Sequence, residues 1–375
     1  MDALILSCST GGGHNAAGRA MQEALEARGH HVTMLDPYDL QNPGLGKKVG
    51  DAYVGMVQRA PRMFGCIYGL GQVYRRLPIR SPVYYVNEKM DSILEDYLAN
   101  HPCDVILMPH VFPAEILTTM KRRGIPVPKT VFIATDYTCI PFTEETDCDY
   151  YVTPGAVLNE DFISRGIPGE KLLSFGIPVK AAFRGPKDRS AAAKRLGMAE
   201  KKHYLLLAGG SIGAGKIRYT MESLQEYLSA RPDTVLITIC GRHQALYLRL
   251  LKEFGENPQI LLLKSTDQMA DYMTLCDVLL SKPGGLTSTE AAVRGIPLIH
   301  LSPIPGCEDR NAAFFQKEGM SIRVGTGKGQ LLAALKKLED PQAAREMMAR
   351  QRAVINPRGA EDLADFLETW LQTRA

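Results

Sequence analysis

A chain of 375 residues is long enough for two domains of ordinary size, each with its own core. Its 45% hydrophobic and 23% charged content is that of a globular protein, and a formal net charge of +3 is too small to point to nucleic acid. Eight scattered cysteines with no Cys-x-x-Cys pair argue against a disulfide framework or a zinc site and fit reduced cytosolic thiols.

The N-terminus runs from Met1-Asp2 into a strand-like stretch, so no signal peptide is expected. No run approaches the roughly 18 apolar residues that span a bilayer, so any membrane contact is expected from the surface. Ala3–Ser7 reads as a buried strand, followed by Gly11-Gly12-Gly13 and a helix from about His14 to Ala27. Gly29 suits the position after that helix, where a positive φ is needed. Val32–Leu35 is the next strand, with Asp36 just past it, and Asp104–Met108 and Thr130–Thr135 follow with helical stretches between. Strands alternating with helices predict a parallel sheet covered on both faces. Residues 178–202 lose strand character and read as a linker region. The pattern then restarts: Tyr204–Ala208, Val235–Cys240, Ile260–Leu263, Val278–Leu280 and Pro297–Leu301 are strands, and Pro357–Leu371 is an amphipathic closing helix. The expected fold is α/β, two doubly wound domains with a cleft between them. The boundaries are 1–180, a linker at 181–202, 203–355, and a closing helix at 356–375.

Three glycine loops carry the chemistry. In Ser9-Thr10-Gly11-Gly12-Gly13-His14, glycines after a strand let a ligand approach the backbone, and the helix start offers unpaired N–H groups. Gly11, Gly13 and Ala16 with Asp36 also satisfy a dinucleotide fingerprint loosely, so a dehydrogenase is a rival. Against it, His14 would sit where a pyrophosphate packs. The positive helix end disfavours imidazolium, which suits His14 as a general base; the plainer reading is a helix cap.

The second loop, Gly209-Gly210-Ser211-Ile212-Gly213-Ala214-Gly215-Lys216, has P-loop spacing, but Ile217 stands where a hydroxyl should hold Mg²⁺. A metal-free diphosphate cradle fits better than an ATPase. The third, Ser281-Lys282-Pro283-Gly284-Gly285-Leu286-Thr287-Ser288-Thr289-Glu290, follows a strand and opens a helix whose N-terminus can take a phosphate. Glu290 could hold ribose hydroxyls or simply favour the helix dipole.

Two other features are weaker. Asp147-Cys148-Asp149 resembles an Asp-x-Asp metal site but offers too few oxygen ligands, so a solvated loop is the better reading. Between residues 47 and 80, Lys47, Lys48, Arg59, Arg62, Arg75, Arg76 and Arg80 interleave with Phe64 and other large apolar residues against a single acid, Asp51. That composition suits an anionic lipid surface, a helical region packed on its own domain, or RNA phosphates, although no RNA-binding motif accompanies it.

Taken together, the first glycine loop with Asp36-Pro37-Tyr38, Lys282-Pro283-Gly284-Gly285-Leu286-Thr287 with Glu290, and Pro305-Gly306-Cys307-Glu308-Asp309-Arg310-Asn311 resemble the monogalactosyldiacylglycerol synthase family. That family includes the bacterial processive diacylglycerol β-glucosyltransferases. The resemblance implies a GT-B fold, two Rossmann-like domains facing across a cleft, and an inverting, metal-independent transfer without a cofactor, the UDP-sugar being a substrate. It assigns His14 the base role towards a diacylglycerol hydroxyl, with Gly12, Gly13, Asp36, His110 and Asp136 on the acceptor side. Gly209, Gly210 and Ser211 fall to the diphosphate and Glu290 to the ribose. Lys282, Pro283, Gly284, Gly285 and Thr287 line the nucleotide pocket, Arg242 lies near the uridine or phosphates, and Glu308 and Asn311 lie near the sugar. The implied partners are a UDP-hexose, glucose in preference to galactose, diacylglycerol, and the anionic cytoplasmic face of the cell membrane, with no nucleic acid.

Two departures stand out. Cys307 occupies the place where the family often carries Gln near the hexose, and a thiol cannot match an amide's hydrogen bonds. Thr135-Asp136-Tyr137 is followed by Thr138-Cys139-Ile140-Pro141-Phe142, without the His and Trp that many members show. The rival functions are transfer to a polyprenyl-linked acceptor, nucleotide-sugar epimerisation, and non-catalytic binding of nucleotide or lipid.

Overall fold

The computed structural model describes residues 1–8, 12–48, 50–51, 55, 88–210, 216–325 and 327–372. They form two compact units. Unit 1 comprises Met1–Ala181, Pro305–Cys307 and Asn356–Ala375; unit 2 comprises Ala182–Ile304 and Glu308–Ile355.

In unit 1 the strands are β1 (Asp2–Leu6), β2 (His31–Leu35), β3 (Val105–Met108), β4 (Lys129–Ile133), β5 (Tyr150–Val152) and β6 (Leu172–Leu173). The helices between them are α1 (Gly12–Glu26), α2 (Pro37–Gln41), α3 (Asp91–Asn100), α4 (Val111–Arg122) and α5 (Asn159–Ile163). The sheet is parallel throughout, in the order β2-β1-β3-β4-β5-β6. Unit 2 adds α6 (Arg189–Leu196), β7 (His203–Ala208), α7 (Ile217–Ser229), β8 (Thr234–Ile239), α8 (Gln244–Phe254), β9 (Ile260–Leu263), α9 (Met269–Leu275) and β10 (Val278–Ser281). It continues with α10 (Gly285–Arg294), β11 (Leu298–His300), α11 (Cys307–Lys317), β12 (Ile322–Arg323), α12 (Lys328–Leu338) and α13 (Pro341–Val354). Its sheet is also parallel, ordered β12-β11-β10-β7-β8-β9. The chain then returns to unit 1 with α14 (Gly359–Gln372).

Parallel strands buried on both faces read as unbroken apolar runs, and the two faces alternate residue by residue. On one face of the first sheet Leu4, Leu6, Ile106, Met108 and Phe132 pack with Leu94 of α3 and Ile116, Leu117 and Met120 of α4. On the other, Ala3, Ile5, Val105, Leu107, Val131 and Ile133 meet Met21 and Leu25 of α1 and Leu363, Ala364 and Leu367 of α14. The closing helix is therefore a core element of unit 1. Arg28 and His30 pin it further, meeting Glu368 at 3.3 and 2.7 Å. Gly29 has φ +81, the left-handed turn that ends α1.

Both sheets reverse their winding once. In unit 1 the chain goes from β1 outward to β2 and then to β3 on the other flank of β1; in unit 2 it goes from β7 through β8 and β9 and returns to β10 beside β7. Ligand crevices open at such reversals, beyond the carboxyl ends of the strands, because the flanking loops splay apart there. β6 and β12, two residues each, were not foreseen from the sequence. Their pairing comes from neighbouring strands, and two residues carry no periodicity of their own.

Candidate active site

At the reversal of unit 1, β1 leads into α1 and β3 leads into α4. Gly12, Gly13 and His14 form the first residues of α1, two positions earlier than the sequence pattern implied. Ser7, at the end of β1, donates from Oγ to Asn15 Oδ1 at 2.6 Å and so fastens this turn to the sheet. His14 Nδ1 lies 2.8 Å from the carbonyl oxygen of Pro109 and 2.9 Å from Thr135 Oγ1. A carbonyl only accepts, so Nδ1 carries the proton and Nε2 keeps its lone pair. Burial lowers the pKa of His14, while the carboxylate of Asp136 and the bond to Pro109 oppose that shift. The outcome is a neutral imidazole with a basic Nε2.

His110 stands beside it, ring centroids 4.5 Å apart and nearly perpendicular. It is the N-cap of α4: its Nδ1 accepts the Phe112 N–H at 3.2 Å, which puts its own proton on Nε2. Burial, and then the neighbouring His14, hold its pKa well below the ordinary value. Two adjacent histidines that resist charging reinforce each other's neutrality. Asp36 caps α2, accepting from the Tyr38 N–H at 3.2 Å. It also joins burial in pushing up the thiol of Cys8.

At the reversal of unit 2, Gly209 and Gly210 follow β7, and Lys282-Pro283-Gly284-Gly285 follow β10. Gly284 is the N-cap of α10 and offers no side chain to its first turn, so those N–H groups are left for a ligand. Thr287 and Glu290 lie in the first two turns and are half-buried. Lys282 pairs with Glu308, whose other carboxylate oxygen accepts the Ile304 N–H at 2.8 Å. Asn311 is fully buried and donates from Nδ2 to Pro283 O at 3.0 Å, bracing the same loop from α11. Arg242 is exposed beyond the end of β8, just after Gly241 at φ +68.

Ser211 and the rest of its glycine loop lie outside the described residues, as do Arg59, Arg62, Phe64, Arg75, Arg76 and Arg80. Of the basic strip, Lys47 and Lys48 are described, and both are exposed. Asp147 and Asp149 lie in a loop, as expected, and each pairs with a lysine: the exposed Asp147 meets Lys171 at 3.0 Å, and Asp149 accepts the Thr130 N–H at 2.7 Å and meets Lys121 at 3.4 Å. Thr130 and Lys121 pull Asp149 below the usual carboxylate range against its burial.

Residue pattern alone did not mark Thr135 or the Pro109 carbonyl as partners of His14, since they lie 121 and 95 residues away. It also missed the buried His300 of β11, which joins Ser288 of α10 at 3.0 Å and Ser321 at 3.1 Å. Burial holds His300 down at about 3, so it is a neutral strut behind the α10 N-terminus.

Residues 14–179 match the family model for monogalactosyldiacylglycerol (MGDG) synthase, and residues 204–365 match that for the glycosyltransferase family 28 C-terminal domain. A processive diacylglycerol beta-glucosyltransferase of Bacillus pumilus is 23% identical over 354 residues, covering 94% of this chain and 90% of that protein. Among solved structures, Acinetobacter baumannii MurG aligns with a TM-score of 0.64 at 15% identity, covering 98% of this chain and 99% of its own. Staphylococcus aureus MnaA, solved with UDP, aligns at 0.67 and 12% identity over 99% and 96%. These likenesses are of fold, the GT-B pairing of two Rossmann-like domains. With the two models meeting on one chain, and the likeness to the glucosyltransferase running nearly end to end, the chain is a GT-B fold similar to monogalactosyldiacylglycerol synthase in its first half and to family 28 glycosyltransferases in its second.

Proposed function

We propose that this glycosyltransferase moves a hexose, glucose in preference to galactose, from a UDP-sugar to the hydroxyl of 1,2-diacylglycerol, making a β-glycosyl-diacylglycerol. The observation that carries the reading is the state of His14: Nδ1 committed to Pro109, Nε2 left basic, at the sheet reversal of unit 1. As the lipid oxygen attacks the anomeric carbon, Nε2 takes its proton and the bond from that carbon to UDP breaks, the electron pair leaving with the diphosphate. One displacement inverts an α-linked donor to a β-glycoside. The departing charge falls to the α10 N-terminus and Lys282 in unit 2.

The family model and the glucosyltransferase relative support the lipid acceptor, and the UDP-bound structural neighbour supports the donor. Metal independence is favoured by Ile217 at the P-loop's hydroxyl position and by the lysines that already occupy Asp147 and Asp149. Among the described residues no helix is long and apolar enough to cross a membrane. With the basic strip that begins at Lys47 and Lys48, this supports peripheral docking on the anionic cytoplasmic face.

The test is sugar transfer from UDP-glucose and UDP-galactose, in parallel, into diacylglycerol-containing anionic vesicles, with and without EDTA. Glycolipid from UDP-glucose that persists in EDTA is the expected result. Consumption of UDP-sugar without lipid would mark an epimerase. UDP binding with no lipid product would overturn the diacylglycerol acceptor in favour of a polyprenyl-linked one or a binding role.

A further inference from the structure

Unit 2 also holds a pocket at the opposite end of its sheet. An open cavity of about 740 Å³ lies at the amino ends of β7, β8 and β10, whereas the loops proposed for the nucleotide leave the carboxyl ends. Small-molecule sites span about 300–1,000 Å³, so the volume is that of a ligand site. Sheets of this kind take their usual ligands at the carboxyl ends, so sugar transfer does not account for this pocket. Its walls are largely apolar, with Leu205 of β7, Val278 of β10, Leu335 and Leu338 of α12 and Met348 of α13.

The charges around the pocket are unevenly matched. Arg189 meets Asp277 at 2.9 Å, and Arg231 meets Glu339 at 2.7 Å. His203 stands 3.7 Å from Asp277, and Asp233 is an exposed acid. Lys187 differs from the two arginines. Its Nζ donates to the carbonyl oxygen of Gly295 at 2.9 Å and forms no ion pair among the described residues. An ammonium has three donors, so two remain for a ligand. Burial of the ammonium lowers its pKa, as do Arg294, Arg189 and Arg352, while Asp277 opposes them. Arg294 is itself short of an acid. Its Nη1 lies 3.4 Å from the carbonyl oxygens of Ala182 and Phe183, and its buried Nε has no partner. Asp271, the acid that attracts Arg294, is committed to Arg195 at 2.6 Å. Carbonyl oxygens solvate such cations without neutralising them, so the Lys187 end of the pocket favours an anion.

We propose that this pocket binds a single-chain anionic amphiphile, with its head on Lys187 and its tail along Leu335, Leu338 and Met348. The two halves of the site ask for the two halves of such a ligand. A free anion would leave the apolar walls uncovered, and an uncharged chain would leave the ammonium without its counter-ion.

The experiment is calorimetric titration of the full chain with three probes: decanoate below its micelle concentration, decanol, and inorganic phosphate. Decanoate should bind at one site per chain, and decanol about 10-fold more weakly or worse, the weight of a charge-assisted hydrogen bond. Phosphate should show no saturable binding over the same range. Lys187→Met should lower decanoate affinity about 10-fold and leave decanol unchanged, while Lys187→Arg should keep most of the affinity. Ala344→Trp, which fills the pocket from α13, should weaken both chains. Either the Lys187 or the Ala344 series carries the test if the other does not fold. No decanoate binding would overturn the proposal, as would equal affinity for decanol. Phosphate binding as tightly as decanoate would mark a free-anion site instead. Decanoate binding that survives the Lys187→Met and Ala344→Trp substitutions unchanged would lie elsewhere on the protein and would also overturn it.

Discussion

His14 gives its Nδ1 proton to the carbonyl of Pro109 at 2.8 Å, a bond across 95 residues that selects the tautomer with a basic Nε2. Removing the imbalance between the two nitrogens removes the base. His14→Ala is expected to cut turnover by about 10²- to 10⁴-fold, the usual weight of general-base catalysis. UDP affinity should hold, because the loops proposed for the nucleotide belong to unit 2. Single-turnover transfer and UDP calorimetry on the same variant check this; near-normal turnover would remove His14 from the chemistry.

The pH profile follows from the same residue. A base must be unprotonated, and burial lowers the pKa of His14 below 6.5. Activity should therefore be flat from pH 7 to 8 and fall only on the acid side, with a midpoint below 6.5. Asp136 opposes the downward shift, so Asp136→Asn should move the acid limb to still lower pH. A limb that moved up, measured as kcat/KM against pH, would reverse the assigned role of Asp136.

Gly210 is constrained twice, by φ +67 and by Lys282 Cε at 2.8 Å from the position of a Cβ. Gly210→Ala should cost about 1–2 kcal/mol for the left-handed conformation alone. It should also displace Lys282, lowering UDP affinity more than uridine affinity. A melting curve and the two titrations separate the contributions.

Cys307, the first residue of α11, directly precedes Glu308 and is half-buried. If this place governs the hexose, Cys307→Gln should change the ratio of kcat/KM for UDP-glucose over UDP-galactose by about 10-fold or more, since an amide adds hydrogen bonds that a thiol lacks. A ratio unmoved by the substitution would place sugar choice elsewhere.

The two parallel sheets were legible because strands buried on both faces spell apolar runs, and because Gly29 and the three glycine loops mark the turns around them. A neutral His14 was legible from its place at the start of a helix, and burial in the fold lowers its pKa further. What the sequence left open was partnership. The cap that Asp36 makes on α2 was not read from the pattern, although a carboxylate two residues before a backbone N–H readily accepts from it. Asp149 was read as part of a solvated loop, and what the pattern did not show is that Thr130 and Lys121 arrive there from other elements.

Local physics thus settled which segments become strands, turns and helix starts, because φ preferences and hydrophobic period act over a few residues. Tertiary structure decided the tautomer of His14 and the company of Lys282. Pro109, Thr135 and Glu308 reach their partners only after the sheets have wound and reversed, and hydrogen-bond chemistry depends on proximity that no short stretch of sequence encodes.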